Sequence, residues 1–226
     1  MSAAPLIVAV DGPAGVGKST AARLLAGRLG VPYLNTGAMY RAVALEVLDA
    51  GLDLDDRAAV ERFAAAVDLR VEAAPEASGG LRILLRGRDP GDRLRSPEVS
   101  DATSRIATYP AVRERLVELQ REAARRLGGV VEGRDIGTRV FPDAPFKFFL
   151  GARPEVRFER RYQELVRSGK AVSAEAMRAE MEERDRRDAG RAESPLVASA
   201  DAIYLDTSDL EPAEVVSAML ARINAR

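Results

Sequence analysis

The segment that most constrains this chain is the glycine-rich stretch at residues 11–20, which follows a short apolar run at 6–10. Gly12, four further residues, Gly17, Lys18 and Ser19 form the signature of a phosphate-binding loop. Glycines let backbone N–H groups turn towards phosphate oxygens, the lysine adds positive charge, and the serine hydroxyl is a ligand for Mg²⁺. A helix beginning at the loop aims its positive dipole end at the same phosphates. The motif predicts a nucleotide site formed by Gly12, Pro13, Ala14, Gly15, Val16, Gly17, Lys18, Ser19 and Thr20.

Composition excludes several kinds of chemistry. The 226 residues include no cysteine and no histidine. Disulfides, thiol nucleophiles, imidazole or thiolate metal sites and Ser-His-Asp catalysis are therefore excluded. The net charge of −1 gives no reason to expect a nucleic-acid polymer as partner. The chain does not open on a charged leader with an apolar core, and it has no apolar stretch of about 18 residues, so we expect a cytoplasmic protein without membrane contact.

The alternation of apolar runs with helical patterns predicts an α/β fold. Strands that alternate with helices favour a parallel sheet covered by helices on both faces. Core strands are expected at 6–10, 31–35, 130–132, 146–150 and 202–206. Helix starts are expected at Ala38, at Asp53 or Asp55, at Ser96-Pro97, and at the capping-box spacing of Ser208 and Glu211.

The region at about 64–104 has a different pattern. Residues 68–72 and 81–85 predict two antiparallel strands around a turn at 75–80, and a third short piece is expected near 93–95. We therefore expect a small β-rich insertion at 64–104 between two parts of a core domain, residues 1–63 and 105–226.

Arginines dominate the basic residues. Three lysines (Lys18, Lys147 and Lys170) leave 31 arginines among 34 basic residues. Arginine binds phosphate bidentately, but a general composition bias accounts for most of this number, so position decides. Two sets of side chains are spaced to share a helix face: Arg153, Arg157, Arg160 and Arg161 in the first set, and Arg184, Asp188 and Arg191 in the second. These faces suit an enzyme that neutralises two phosphate groups on closure, and ordinary solvated faces paired with nearby glutamates are the alternative.

Other classes of phosphate-loop protein lack support. A GTPase needs an Asn-Lys-x-Asp sequence to read guanine, and neither Asn35 nor Asn224 is followed by lysine. A transporter-type ATPase carries a Leu-Ser-Gly-Gly-Gln signature, whose flanks are absent around Ser78. A small kinase, another compact hydrolase or a nucleotide binder remains.

Several segments taken together resemble the bacterial cytidylate kinase family. The matching segments are 11–19, 35–41, 109–113, 132–137, 140–145, and 183–188 with Arg191. They occur in family order over nearly the whole chain. The resemblance implies a P-loop kinase fold with a five-stranded parallel sheet of order 2-3-1-4-5, a helical lid at about 153–172, and a three-stranded antiparallel insertion in the monophosphate-binding domain.

The resemblance also implies an activity, which is Mg²⁺-dependent, in-line transfer of the γ-phosphate of ATP to CMP or dCMP without a covalent intermediate. Ser19 would hold Mg²⁺ and Glu132 would orient a metal-bound water. The implied acceptor-binding residues are Thr36, Arg41, Ser104, Arg113, Arg134, Asp135, Arg184 and Asp188. The implied catalytic residues are Lys18, Arg134, Arg157, Arg160, Arg184 and Arg191.

Within this resemblance, Ser104, Arg113 and Asp135 would read the base. Cytosine offers an amine to a carboxylate and ring acceptors to a guanidinium, whereas uracil presents an oxygen to Asp135. An alternative role for Asp135 is to accept hydrogen bonds from loop N–H groups at the end of a strand.

The chain departs from the family pattern at three positions. Asn35 and Thr36 stand where the family often has Asp-Ser, and Glu132 stands where Asp is common. Thr36 keeps a hydroxyl, while Asn35 removes a charge near the acceptor.

Two rival functions remain open from the sequence. A kinase of another small acceptor, such as UMP or shikimate, would share the loop. The second rival is a non-catalytic nucleotide-binding regulator. Such a protein would need only one phosphate pocket, whereas the two arginine faces suit two phosphate pockets and argue against it. We expect a monomer, because no heptad or exposed apolar helix demands a dimer.

Overall fold

Five strands form the parallel sheet expected from the alternation of strands and helices. The computed structural model describes residues 5–73, 80–167, 173–191 and 194–225. The strands are β1 (Ile7–Asp11), β2 (Tyr33–Asn35), β3 (Leu69–Ala73), β4 (Leu81–Leu85), β5 (Gly129–Glu132), β6 (Phe146–Gly151) and β7 (Ile203–Asp206). The large sheet has the order β2-β5-β1-β6-β7. Counted along the chain, its five strands have the order 2-3-1-4-5, which confirms the expected topology.

Eight α-helices accompany the strands in the described residues. They are α1 (Lys18–Leu29), α2 (Thr36–Asp49), α3 (Arg57–Ala65), α4 (Pro97–Ile106), α5 (Pro110–Leu127), α6 (Pro154–Arg167), α7 (Ala174–Ala189) and α8 (Pro212–Asn224). Within this part of the chain, no helix combines the length and the apolar character needed to cross a membrane. Residues 168–172 of the expected lid lie outside the described ranges.

The sheet has an apolar core on each face because its central strands are buried on both sides. Val8 and Val10 of β1 pack with α1 and α8, where Leu25 and Met219 are fully buried. Ala9 points to the opposite face, where the core is built from α2, α3, α4 and α5. Strands buried on both faces read as continuous apolar runs, as β1 does. The loops at the carboxyl ends of β1 and β5 are thereby fixed at one edge of the sheet.

The β-rich region contains a two-stranded sheet. β3 and β4 pair antiparallel, with Leu69 opposite Leu85. The expected third strand near 93–95 is wrong, since Gly91–Arg95 is a 3₁₀ helix. The 3₁₀ helix has a local cause. The Asp89 carboxylate accepts from the Gly91 N–H at 2.8 Å, and Pro90 has no N–H to donate to a neighbouring strand. Of the turn expected at 75–80, residues 75–79 lie outside the described ranges.

Three expected helix starts need correction. α3 is capped by Asp56, whereas Asp53 accepts instead from the Asp55 N–H. α8 has its capping box at Glu211 and Glu214, so the pair proposed at Ser208 and Glu211 is wrong.

The third correction concerns α2. This helix begins at Thr36, before the expected Ala38, because the Asn35 side chain caps the Ala38 N–H at 3.0 Å. The expected start of α4 at Ser96-Pro97 is confirmed, with Ser96 as its cap.

Candidate active site

The phosphate-loop segment joins the end of β1 to α1 through glycines in backbone conformations that other residues avoid. Gly12, Gly15 and Gly17 have φ values of 144°, 79° and 85°. A Cβ on Gly12 would lie 2.2 Å from the Leu150 carbonyl oxygen, and one on Gly15 would lie 2.7 Å from that of Arg157. Larger residues at these two positions would therefore displace the loop from β6 and α6.

Lys18 is the first residue of α1 and lies over its own loop. Its ammonium donates to the Pro13 carbonyl at 2.5 Å, and the side chain is buried. Burial, and then the positive charges of Arg134 and Arg184, hold the pKa of Lys18 well below its usual value. The lysine is thus placed where positive charge is concentrated, an arrangement that a polyphosphate would relieve.

Two further arginines contribute charge without a partner. Arg41 on α2 and Arg184 on α7 have no hydrogen-bond or ion-pair partner within the described residues. Burial, and then the neighbouring Arg134, lower the pKa of Arg184 to about 10 and also lower the pKa of Arg41. Partly buried guanidinium groups without an ion-pair partner are typical of a site for an anion.

Asp188 lies between two of the arginines expected at the site. Its carboxylate accepts from Arg134 Nε at 2.9 Å and also pairs with Arg191. Burial opposes the charge of Asp188, but these two arginines hold its pKa below the usual value. The structure therefore brings Arg134 into contact with α7, which also carries Arg184.

Glu132 ends β5 beside the start of α1. Its Oε1 accepts from the Ser19 hydroxyl at 2.7 Å and from the Tyr33 hydroxyl at 2.6 Å. Its Oε2 is buried and has no hydrogen-bond partner among the described residues. The Thr36 hydroxyl donates to the backbone carbonyl of Glu132 at 2.7 Å.

This arrangement fits Mg²⁺. A serine hydroxyl and an unpartnered carboxylate oxygen are hard oxygen ligands, and Mg²⁺ in kinase sites is usually held by one or two protein groups together with waters and phosphates. Within the described ranges no group of three or more acidic side chains could hold an ion alone.

Arg113 and Asp135 are brought together as a buried ion pair. Their side chains are 5% and 8% exposed, and the Arg113 guanidinium also lies 5.9 Å from the centre of the Tyr40 ring. The Ser104 hydroxyl on α4 is buried and has no hydrogen-bond partner in the part of the chain described. A polar group this buried needs a partner, so the Ser104 hydroxyl suits recognition of a polar ligand.

Two of the arginines of α6, Arg157 and Arg160, have backbone partners, whereas Arg161 pairs with Glu164 of its own helix. Arg157 donates to the Ala14 carbonyl of the phosphate-loop segment at 2.7 Å and pairs with Asp185 at 2.6 Å. Arg160 donates to the Thr207 carbonyl at 2.6 Å. Neither uses the neighbouring glutamates of its own helix, so the solvated-face alternative does not describe them. α6 is instead anchored to the loop after β1 and the turn after β7.

Three residues at the site were not identified from the sequence: Asp11, Tyr33 and Asp185. Asp11 accepts from the backbone N–H groups of Ile136 and Gly137 at 2.8 and 2.7 Å. It thereby joins the phosphate-loop segment to the segment that carries Arg134 and Asp135. Its place at the end of the central strand was the available signal, because the carboxyl ends of parallel strands meet at one edge.

Asp11 also leads to a prediction about stability and pH. Burial is the largest effect on this carboxyl and raises its pKa from 3.8 to about 6. A carboxyl with a higher pKa in the folded chain stabilises the fold when protonated, so this contribution is present below about pH 4 and is lost as pH rises through about 6. We expect the free energy of unfolding of the wild type, measured relative to Asp11→Asn, to fall by about 3 kcal/mol between those limits. Urea unfolding of both proteins across this range measures the difference, and a constant difference would contradict the prediction.

The family model and the curated relatives that match this chain carry the same description. Residues 8–225 match the family model described as cytidylate kinase. The chain is similar to the cytidylate kinase of Pelotomaculum thermopropionicum, with 50% identity over 218 residues, 96% of each protein. It is similar to the cytidylate kinase of Mycobacterium avium, with 49% identity over 214 residues, which cover 94% of this chain and 92% of that protein. A crystal structure of an uncharacterized protein from Eubacterium ventriosum has a TM-score of 0.51 at 16% identity, covering 98% of this chain and 99% of that one, and supports the fold alone.

Proposed function

The chain belongs to the cytidylate kinase family, and from that premise we propose how its residues divide the transfer of a phosphoryl group from ATP to CMP or dCMP. The observation that carries the proposal is the set of mutually repelling cations Lys18, Arg41, Arg134 and Arg184. Lys18 belongs to the phosphate-loop segment, Arg134 follows β5, and Arg41 and Arg184 come from α2 and α7. Two bound nucleotides would supply the negative charge that these groups lack.

On the donor side, residues 12–20 would hold the phosphates of ATP through backbone N–H groups and the start of α1. Lys18 would exchange its bond to Pro13 for the terminal phosphates. Ser19 and the free oxygen of Glu132, directly or through water, would hold Mg²⁺, which when bound neutralises charge on the phosphates. Arg157 would keep the loop and α7 in register through Ala14 and Asp185.

On the acceptor side, Arg41 and Arg134 would hold the phosphate of CMP. The Thr36 hydroxyl lies nearby, fixed by its bond to the backbone carbonyl of Glu132. Arg134 would then exchange part of its contact with Asp188 for that phosphate. Asp188 keeps Arg191 as a partner and would be free to accept from a ribose hydroxyl. Arg184 would approach the group being transferred.

The base would be read by the buried pair of Arg113 and Asp135 together with Ser104. Asp135 accepts from the amine of cytosine, while Arg113 donates to its ring acceptors. With uracil, Asp135 would face an oxygen and lose its hydrogen-bond donor. An unpaired carboxylate in a buried site costs binding free energy, so UMP would bind more weakly than CMP.

Catalysis in this proposal depends on position and charge. The cations would spread the charge that develops during an in-line transfer, and no side chain forms a covalent bond to phosphorus. Arg160 and Arg191 would act from the donor side, Arg160 by fixing the turn at Thr207. We also propose that the chain acts as a monomer, because all of these groups come from one copy.

The test is ADP release from ATP and Mg²⁺ with CMP, dCMP, UMP, AMP, GMP or no acceptor, measured in parallel. We expect CMP and dCMP to lead by at least about ten-fold, because only cytosine matches both members of the buried pair. Activity led by another nucleotide would keep the phosphate residues and remove Ser104, Arg113 and Asp135 as base readers. Tight ATP binding without acceptor-dependent release would support the regulatory alternative.

A further inference from the structure

Tyr33 holds the carboxylate of Glu132 in one orientation. The tyrosine lies in β2, next to β5 in the sheet, and its hydroxyl reaches the same Oε1 that accepts from Ser19. Two donors on one oxygen leave Oε2 as the buried oxygen without a partner among the described residues.

Other acidic and amide groups at this edge of the sheet are already engaged. Asp11 accepts from two backbone N–H groups, and Asp135 pairs with Arg113. Asn35, two residues after Tyr33 in β2, uses its side-chain oxygen to cap α2. Among the described residues at the ends of β1, β2 and β5, Glu132 therefore keeps a buried carboxylate oxygen for another ligand.

The tyrosine ring is itself held from the other side. Arg23 on α1 lies with its guanidinium 5.9 Å from the centre of the ring. Ser19 and Arg23 are four residues apart on α1, so they lie on the same face of that helix. The helix that begins at the phosphates thus supports both donors to the carboxylate.

We propose that Tyr33 is a positioning residue for the metal site: its hydroxyl fixes the long side chain of Glu132 so that Oε2 is directed to Mg²⁺ or to a water bound to it. This inference rests on the proposed function. Glutamate has one more rotatable bond than aspartate, so its carboxylate needs a further contact to stay in one place. Removing an outer partner of this kind usually weakens metal affinity by about 10- to 100-fold.

The experiment compares wild type, Tyr33→Phe, Glu132→Asp and the double variant. Thermal unfolding is followed with ATP and increasing Mg²⁺ in the absence of an acceptor, so that no turnover is needed. We expect Tyr33→Phe to raise the Mg²⁺ concentration at half-maximal stabilisation by about ten-fold while ATP affinity in EDTA is unchanged. In the Glu132→Asp background the same substitution should have no further effect, because the shorter carboxylate is withdrawn from the hydroxyl.

Tyr204→Phe serves as the matched control, since this exposed tyrosine lies on β7 at the far edge of the sheet. An unchanged Mg²⁺ midpoint in Tyr33→Phe, or equal shifts in both backgrounds, would overturn the proposal. Calorimetric Mg²⁺ titration in the cold gives the same comparison if the variant is too unstable to heat. Failure of the proposed function appears separately, as wild type that binds Mg²⁺ and ATP but releases no ADP with CMP.

Discussion

Lys18→Ala will lower kcat for CMP phosphorylation by about 10²- to 10³-fold, the size of effect found when one charge-stabilising donor is removed from a transition state. The lysine is buried beside Arg134 and Arg184, where its charge is unfavourable until phosphates are bound. Its contribution therefore belongs to the nucleotide complex rather than to the empty fold. Single-turnover rates at saturating ATP and CMP measure the loss.

Stability separates this role from a structural one. Because the pKa of Lys18 is lowered in the folded chain, its charge destabilises the fold at neutral pH, and we expect the alanine variant to unfold at an equal or higher urea concentration. Lys147→Met is the matched control, since this second buried lysine bonds to the Pro142 carbonyl and to Asp201. The control should lose stability and keep most of its turnover. A folded Lys18→Ala protein with near-full turnover would refute the assignment.

Asp135→Asn will narrow the preference for CMP over UMP by about 100-fold. The asparagine amide places an N–H₂ group opposite the amine of cytosine, so two donors face each other. The same N–H₂ group can donate to the oxygen of uracil at that position. We expect kcat/KM for CMP to fall by about 10²-fold and the value for UMP to hold or rise, since a good bidentate base contact is worth about 1–3 kcal/mol. Parallel kinetics with both acceptors measure the ratio.

The same substitution removes the charge that neutralises Arg113. Breaking one side of a buried ion pair costs about 3–5 kcal/mol, although the remaining amide oxygen offsets part of this. Kinetics should therefore be run where urea unfolding shows that the variant is folded. Asp143→Asn, on an exposed carboxylate in the loop before β6, is the control. An equal fall for both acceptors would mean that Asp135 has a structural role, holding Arg113 in place, and does not read the base.

The elements that the sequence predicts well are those determined over short stretches. The phosphate-loop pattern, the apolar run of β1 and the alternation of strands with helices lead directly to the topology. The third strand near 93–95 fails because an Asp-Pro-Gly turn outweighs a weak strand pattern. Family resemblance supplied the base-reading residues, and their roles remain a prediction.

The contacts that escaped prediction join strand ends far apart in the chain. Asp11 bonds to residues 125 and 126 positions later, and Tyr33 to a carboxylate 99 positions later. The spacing of residues within a helix or strand does not predict such long-range pairs. Arg160 illustrates a second reason, because its partners include backbone carbonyls that are the same for every residue type.

The order of the sheet also governs how this chain can be made. β1 leaves the ribosome well before its neighbours in the sheet, because it pairs with Gly129 and Phe146, which follow their partners by 122 (129 − 7) and 138 (146 − 8) residues. β1, which carries the phosphate-loop segment, must therefore wait with both of its edges unpaired until at least 122 further residues have been made. Such long-range pairing slows folding and exposes aggregation-prone surface. Chaperone demand during translation should accordingly be greatest before β5 and β6 appear, and nucleotide can stabilise the nascent protein only after both have been added.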